Sequence, residues 1–228
     1  MLTSTYYNKF WNTAIAQFEK GKFDTDPLID DPHDNRYGLS VILRPAAAVK
    51  AAIHRVNTAL EKVEPGQYYY PRSDMHVTVL SVVSCYSGFN RNSFKTAEYV
   101  DVVQQAVKKI HPFTIAFNGI TASPGCIMVQ GFAAPELNRL RASLRNSFNK
   151  TNLETSFDKR YTLKVAHSTI VRLSKKVEQK EGFLHLLHKY RHHAFGTCTI
   201  NEVELVYNDW YQRKEKVEVL ARFTLQEA

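Results

Sequence analysis

The spacing of apolar residues predicts helices and strands that alternate along most of the chain. Five stretches place apolar residues at every third or fourth position, as one face of a helix does. These predicted helices lie at 5–20, 49–63, 100–110, 135–148 and 183–190. Strands are predicted from alternating or continuous apolar runs at 37–43, 76–83, 113–117, 126–132 and around residue 167. A closing hairpin is predicted from 203–207 and 217–223, with its turn at Asn208-Asp209.

Two parts of the chain repeat the same order of elements. Residues 37–82 and 126–173 each predict a strand, a helix that follows a proline, and a second strand. Repeated halves within one small domain usually pack about a pseudo-two-fold axis, which brings equivalent positions together. Equivalent residues of the two second strands are therefore expected to meet.

Both second strands carry a histidine that is followed two positions later by a threonine. The two segments read HVTVL from His76 and HSTIV from His167. Residues two apart share one face of a strand, at roughly 7 Å, so each histidine should point the same way as Thr78 or Thr169. About one-tenth of a match is expected by chance in a chain of this composition, so two matches in repeated positions indicate a functional pair.

Two imidazoles and two hydroxyls that face each other could act on one phosphate. With an unperturbed pKa of about 6.5, one imidazole can serve as general base and the other as general acid in a displacement at phosphorus. The threonine hydroxyls would donate to the non-bridging oxygens, and the chemistry requires no metal or other cofactor. The alternative is that His76 and His167 are core histidines whose nitrogens bond to the backbone.

The overall composition is typical of a soluble globular protein of one domain. The chain has 228 residues, of which 44% are hydrophobic and 23% charged, and no apolar run reaches the roughly 18 residues of a membrane span. Three widely separated cysteines favour a reducing compartment, and residues 1–18 lack the pattern of a signal peptide. We therefore expect a monomeric cytoplasmic protein without a membrane or an obligate protein partner.

Positive charge is concentrated in residues 138–191. This segment has 13 Lys or Arg and four Asp or Glu, a net charge of +9, in a chain whose formal net charge is +8. A surface of this sign attracts ligands that bear phosphate. The charge does not distinguish a nucleic acid from a small nucleotide, and a solvated basic face without a ligand also explains it.

Residues 1–36 are predicted to precede a main domain at 37–228. The amphipathic helix at 5–20 is followed at 21–36 by a connector with five aspartates and two prolines. The helix could pad the back of a sheet or close over a cleft, and its simple apolar stripe favours padding. The aspartates could bind a hard cation, but their spacing fits no EF-hand loop and favours a solvated loop.

The two motifs, with Arg172 just after the second, resemble those of the 2H phosphoesterase superfamily. This group includes the bacterial 2′-5′ RNA ligase-like proteins and the cyclic nucleotide phosphodiesterases, and the resemblance covers about residues 37–223. It implies an α+β fold that is bilobal and duplicated, with two antiparallel sheets flanked by helices around a central cleft. It also implies a metal-independent phosphoric diester hydrolase, with ligation possible. The implied substrates are nucleotides or RNA ends that carry a 2′,3′-cyclic phosphate or a 2′-5′ linkage.

The resemblance also implies roles for individual residues. His76 and His167 correspond to the catalytic pair, and Thr78 and Thr169 to the phosphate-binding residues. Arg172 matches a basic position that often follows the second motif, although in a regular strand it would face away from His167. Further candidates for substrate binding lead into the two motifs, namely Tyr70, Arg72, Tyr161 and Lys164.

Two alternatives to these roles stay open. The aromatic residues that lead into the motifs could belong to the core instead of stacking on a base. The whole chain could also be an RNA- or nucleotide-binding module that keeps the fold but does no turnover. Intact histidines and threonines in both motifs favour the enzyme, because binding alone does not require two titratable groups.

Overall fold

The periodic segments fold into helices and strands in the predicted order. The structure, a computed structural model, describes residues 3–159 and 162–226. Its helices are α1 (Thr3–Phe18), α2 (Ala47–Val63), α3 (Thr96–Val107), α4 (Pro135–Phe148) and α5 (Lys180–Tyr190). Its strands are β1 (Arg36–Leu43), β2 (Tyr68–Tyr69), β3 (Val77–Ser87), β4 (Phe113–Ser123), β5 (Cys126–Ala133), β6 (Ala166–Arg172), β7 (Ala194–Ile200), β8 (Glu202–Asp209) and β9 (Glu218–Thr224). Short 3-10 helices lie at Pro27–Asp30 and Lys214–Lys216.

The strands form two antiparallel sheets, which confirms the predicted α+β class. The first sheet has the order β3-β1-β8-β9, and the second has the order β2-β6-β5-β4-β7. Strand β3 lies at an edge of the first sheet, β6 lies one strand from an edge of the second, and these two strands pack against each other. Each sheet therefore brings one motif strand to the junction between the lobes.

The repeat is confirmed, and its two helices are exchanged between the sheets. Strands β1 and β3 pair in the first repeat, as β5 and β6 do in the second. Helix α2, which follows β1, packs against β6 and β7 of the second sheet, whereas α4, which follows β5, packs against β3 of the first. Ile53 and Leu60 on α2, and Leu140 and Leu144 on α4, are completely buried. Buried helix faces, and not only loops, therefore join the two lobes.

Strand β3 contains a β-bulge at the residue after the motif threonine. Thr78 pairs with Ile42 and Leu80 pairs with Val41, so Val79 is an extra residue with no partner on β1. An extra residue reverses the face on which all later side chains of a strand lie.

Strand β6 contains a bulge at the equivalent position. Thr169 pairs with Met128 and Val171 pairs with Ile127, so Ile170 is the extra residue. Both motifs therefore have a bulge at the residue after the threonine. The sequence analysis assumed regular strands, in which side chains alternate strictly, and so did not predict either bulge.

Some predicted boundaries are wrong. The turn predicted at Asn208-Asp209 is not there, because both residues lie in β8, where Asp209 pairs with Tyr37. The connection to β9 instead spans 210–217 and contains a short 3-10 helix. Strands β2 and β7 were not predicted: β2 has only two residues, and β7 carries small and polar residues.

The N-terminal segment is attached to the second sheet. As its apolar stripe indicated, α1 packs against β4 and buries Tyr7, Trp11, Ala14, Ile15 and Phe18. The connector that follows is more ordered than the solvated loop predicted for it, since it forms the 3-10 helix Pro27–Asp30. No helix within residues 3–159 and 162–226 has the length and apolar character needed to cross a membrane.

Candidate active site

One cleft between the motif strands holds both histidines and both threonines. The side chains of His76, Thr78, His167 and Thr169 all line it. Each of the four residues is half-buried, whereas Ser168, between the second histidine and threonine, is completely buried. This contrast is the expected alternation of a strand with one face on the core and one face on a cleft. The structure thus brings together the two motifs at the junction of the repeats.

Arg172 also lines this cleft, on the same side of β6 as His167. The expectation that Arg172 faces away from this histidine is wrong, because the bulge at Ile170 shifts the alternation by one residue. The Nε of Arg172 donates to the hydroxyl of Tyr70 at 3.3 Å, and Tyr70 is a second predicted residue that lines the cleft. The cleft therefore contains a guanidinium as well as two imidazoles and two hydroxyls.

Two of the other substrate-binding candidates, Arg72 and Lys164, do not line the wall of the cleft. Arg72 and Lys164 are both exposed on the surface. The Nζ of Lys164 lies 5.4 Å from the centroid of the Tyr6 ring, on α1. Tyr161 lies outside the described residues.

The sequence reading missed two serines that line the cleft on the same strand as the first motif. Ser81 and Ser84 follow Thr78 at intervals of three residues, and all three are half-buried. In a regular strand, Ser81 would lie on the face opposite to Thr78. The bulge at Val79 moves Ser81 to the face of Thr78, and a second extra residue at Val82 allows Ser84 to lie on that face as well. The available signal was the recurrence of a polar residue at every third position.

Two loops without any recognised motif complete the wall. The loop after α4 contributes Phe157 and Asp158, and the loop after β8 contributes Trp210 and Gln212. Neither loop carries a hydrophobic period, so no sequence pattern placed it beside the histidines. Within the described part of the chain, no group of three or more His, Cys, Asp or Glu side chains is placed to hold a metal ion.

A buried arginine on α4 holds the bulge of the first motif. Arg141 is only 2% exposed, and its Nε donates to the carbonyl of Val79 at 3.0 Å. Its Nη2 donates to the carbonyl of Thr78 at 3.2 Å and to that of Val165, just before the second motif, at 3.0 Å. A buried carbonyl without a donor costs about 1–3 kcal/mol, so this side chain stabilises a local backbone that a regular strand would not require. It also connects the strand segments that carry the two motifs.

A buried asparagine on α2 does the same for the second motif. The Nδ2 of Asn57 donates to the carbonyl of Ile170, the extra residue of β6, at 3.0 Å, and to that of Tyr70 at 3.2 Å. Each exchanged helix therefore supplies a polar side chain to the bulge in the other repeat.

The two histidines have different surroundings. The Nδ1 of His76 lies 2.7 Å from the carbonyl oxygen of Asp74, and since a carbonyl can only accept, Nδ1 carries the proton. The neutral ring then keeps its lone pair on Nε2. The Nδ1 of His167 is buried and has no hydrogen-bond partner among the described residues. The symmetry of the motifs offered no reason to expect this difference.

Burial makes both imidazoles harder to protonate. It lowers the pKa of His76 to about 4, although the bond to the Asp74 carbonyl works in the opposite direction. Burial also lowers the pKa of His167 to about 4, and there the positive charge of Arg141 adds to the effect. The guanidinium of Arg172 lowers both pKa values further. Both rings are therefore neutral near pH 7 when the cleft is empty.

Two antiparallel sheets that meet at a cleft lined by paired His-x-Thr segments define a protein of the 2H phosphoesterase class. The model of the 2′-5′ RNA ligase superfamily matches residues 45–211. The chain therefore belongs to the 2′-5′ RNA ligase superfamily.

Solved structures share this fold at low sequence identity. The protein TT0787 of Thermus thermophilus has a TM-score of 0.62 at 16% identity, over 83% of this chain and 98% of its own. LigT of E. coli complexed with 3′-AMP has a TM-score of 0.56 at 13% identity, over 84% of this chain and 99% of its own. LigT complexed with ATP has a TM-score of 0.54 at 12% identity, with the same coverage. A comparison with curated protein sequences gives no match.

Proposed function

We propose that the protein is a phosphodiesterase that hydrolyses a 2′,3′-cyclic phosphate or a 2′-5′ linkage of a nucleotide or an RNA end. The observation that carries this proposal is the placement of His76, Thr78, His167 and Thr169 around one cleft. Membership of the 2′-5′ RNA ligase superfamily supports chemistry on a phosphodiester. The LigT complexes with 3′-AMP and ATP support a nucleotide as the ligand.

In the proposed reaction, water attacks phosphorus and the ribose oxygen on the opposite side leaves. One neutral imidazole accepts the proton of the water, and the other, as imidazolium, protonates the leaving oxygen as its bond to phosphorus breaks. The Thr78 and Thr169 hydroxyls and the Arg172 guanidinium donate to the non-bridging oxygens, where negative charge increases. Ligation would use the same groups with the roles of acid and base reversed.

The surroundings of the histidines favour one assignment of these roles. His76 is assigned as the general acid, because the carbonyl of Asp74 accepts from Nδ1 and stabilises the imidazolium, so that this ring carries the proton of the pair. His167 is assigned as the general base, because the positive charge of Arg141 disfavours its protonation, so that it is the ring that stays neutral. A titration of the two rings in the free protein by NMR should accordingly show His76 gaining the first proton of the coupled pair.

The proposal is tested by a screen of 2′,3′-cyclic nucleotides and 2′-5′ dinucleotides in excess EDTA. We expect turnover of at least one of them. Failure to turn over any of them, together with tight binding of RNA, would identify a binding module instead of an enzyme. Loss of activity in EDTA that a divalent metal restores would contradict the metal-independent mechanism.

Removal of a threonine hydroxyl should weaken the transition state without unfolding the protein. Thr78→Ala and Thr169→Ala should each lose roughly 1–3 kcal/mol of transition-state stabilisation, as expected for a donor to a charged oxygen. The measurement is kcat/KM, with thermal unfolding as the check on folding. Thr78→Ser and Thr169→Ser keep the hydroxyl and are the matched controls. Equal losses in the serine and alanine variants would show that packing, and not donation, is what matters.

The pH dependence should differ between the free enzyme and its substrate complex. The active pair has one proton, and because the pKa of both rings is lowered to about 4, kcat/KM should follow a bell whose maximum lies on the acid side of the usual imidazole pKa. A bound phosphate anion stabilises imidazolium, so the bell for kcat should lie at higher pH. Steady-state rates from about pH 3 to about pH 9 measure both profiles. Two coincident bells would contradict the stabilisation of imidazolium by the bound phosphate, and a flat profile when chemistry is rate-limiting would exclude paired imidazole catalysis in this cleft.

A further inference from the structure

We propose that Asp26, in the N-terminal connector, is a positioning residue that sets the place of the Arg172 guanidinium in the cleft. The inference rests on the proposed function of that cleft and extends the site to a new part of the chain. Asp26 precedes residues 45–211, the segment that matches the superfamily. The connector would then be part of the substrate site, and not only a link between α1 and β1.

Backbone hydrogen bonds fix the connector beside the end of β6. The N–H of Asp24 donates to the carbonyl of Pro124 at 2.9 Å, and the N–H of Asp26 donates to the carbonyl of Leu173 at 2.8 Å. Leu173 directly follows Arg172, the last residue of β6. The backbone of Asp26 is therefore tied to the strand end that carries the guanidinium.

The carboxylate of Asp26 contacts Tyr211 and the cleft residue Arg172. Its Oδ1 accepts from the hydroxyl of Tyr211 at 3.0 Å, and its Oδ2 lies 3.9 Å from the Nη1 of Arg172. Tyr211 is completely buried, and its hydroxyl also accepts from the Nη2 of Arg36 at 2.9 Å. The centre of its ring lies 5.6 Å from the Cζ of Arg172. The position of the carboxylate is thus set by a rigid aromatic residue.

These contacts orient Arg172 without neutralising it. At 3.9 Å the pair with Asp26 is loose, and it lacks the two parallel hydrogen bonds of a tight arginine–carboxylate pair. The guanidinium is held between this carboxylate and the Tyr70 hydroxyl, which leaves N–H groups for a phosphate oxygen. A long side chain already held in its binding position loses less entropy when the phosphate arrives.

The sign of the effect of Asp26→Asn separates positioning from simple electrostatics. The variant keeps an oxygen for the Tyr211 hydroxyl but removes the attraction for Arg172. Positioning predicts weaker binding of inorganic phosphate and a higher KM, each by about 3- to 10-fold, with a smaller change in kcat. A merely electrostatic role predicts the opposite, since loss of a negative charge near the cleft should tighten the binding of an anion. Asp30→Asn removes an exposed carboxylate from the same connector and is the matched control.

A double-mutant cycle shows whether Asp26 acts through Arg172. In the Arg172→Met background, Asp26→Asn should change phosphate affinity by less than about twofold. In the wild-type background, Asp26→Glu keeps the carboxylate and should bind phosphate more tightly than Asp26→Asn does. Equal losses in both backgrounds, or unchanged or tighter binding in Asp26→Asn, would overturn the proposal. Titration of inorganic phosphate by calorimetry needs no turnover, so a wild type that binds phosphate but hydrolyses no diester would contradict only the proposed reaction.

Discussion

His76→Ala and His167→Ala are each expected to lower kcat by about 100-fold or more, the smaller end of the range for the loss of a general acid or base. Each ring lines the cleft and is half-buried, so truncation removes a reacting group without opening a cavity in the core. The measurement is single-turnover kinetics on whichever cyclic or 2′-5′ substrate the wild type accepts. The two losses should not add in the double variant, because the histidines act as one unit.

A sharper variant exists for the first histidine. His76→Asn keeps a side-chain N–H that can donate to the Asp74 carbonyl, as Nδ1 now does at 2.7 Å, but it cannot exchange a proton near neutral pH. We expect the thermal stability of the wild type together with the activity loss of the alanine variant. Full activity in either variant, or failure of the alanine variants to fold, would show that the histidines belong to the structure and not to the chemistry.

Arg141→Met should lower the free energy of unfolding by about 2–4 kcal/mol, because buried carbonyls lose their donor. This loss is smaller than the summed free energies of the three hydrogen bonds that Arg141 donates. The reason is that burial of the guanidinium charge, which has no carboxylate partner among these contacts, already destabilises the wild type. Chemical denaturation at neutral pH measures the change.

Arg139→Met is the matched control for this change. Arg139 lies on the same helix, with a side chain that is 69% exposed and an ion pair to Glu136. Its replacement should change stability by no more than about 0.5 kcal/mol. Similar losses in both variants would mean that the hydrogen bonds of Arg141 to the motif strands do not stabilise the fold.

The sequence was sufficient to predict that the two motif strands meet, but not that each of them contains a bulge. The period of the apolar residues and the repeated order of elements predicted β3 and β6 as partners, because both signals are local in the chain. The face on which Arg172 lies was predicted wrongly, since it depends on the extra residue Ile170. Nothing at Ile170 itself predicts a bulge: the donor that satisfies its carbonyl is on Asn57, far away in the sequence.

The difference between the two histidines had the same origin. His76 and His167 are indistinguishable as motifs, and the contrast arises from the backbone of Asp74, which turns back toward the ring just before β3 begins. Patterns thus identified the two histidines that line the cleft, and the irregular backbone makes their surroundings different.

The exchange of α2 and α4 between the lobes constrains the order in which the site is assembled. As the chain leaves the ribosome, β3 is complete well before α4, which carries Arg141, has been made. Until α4 has been made, the carbonyl of Val79 lacks its Arg141 donor. Until β6 and β7 have been made, the apolar face of α2 lacks the strands against which it packs. Neither lobe can reach its final packing as an independent unit. We therefore expect the cleft to form only after α4, β6 and β7 have been made, and a chain truncated before α4 to lack the packing of both lobes.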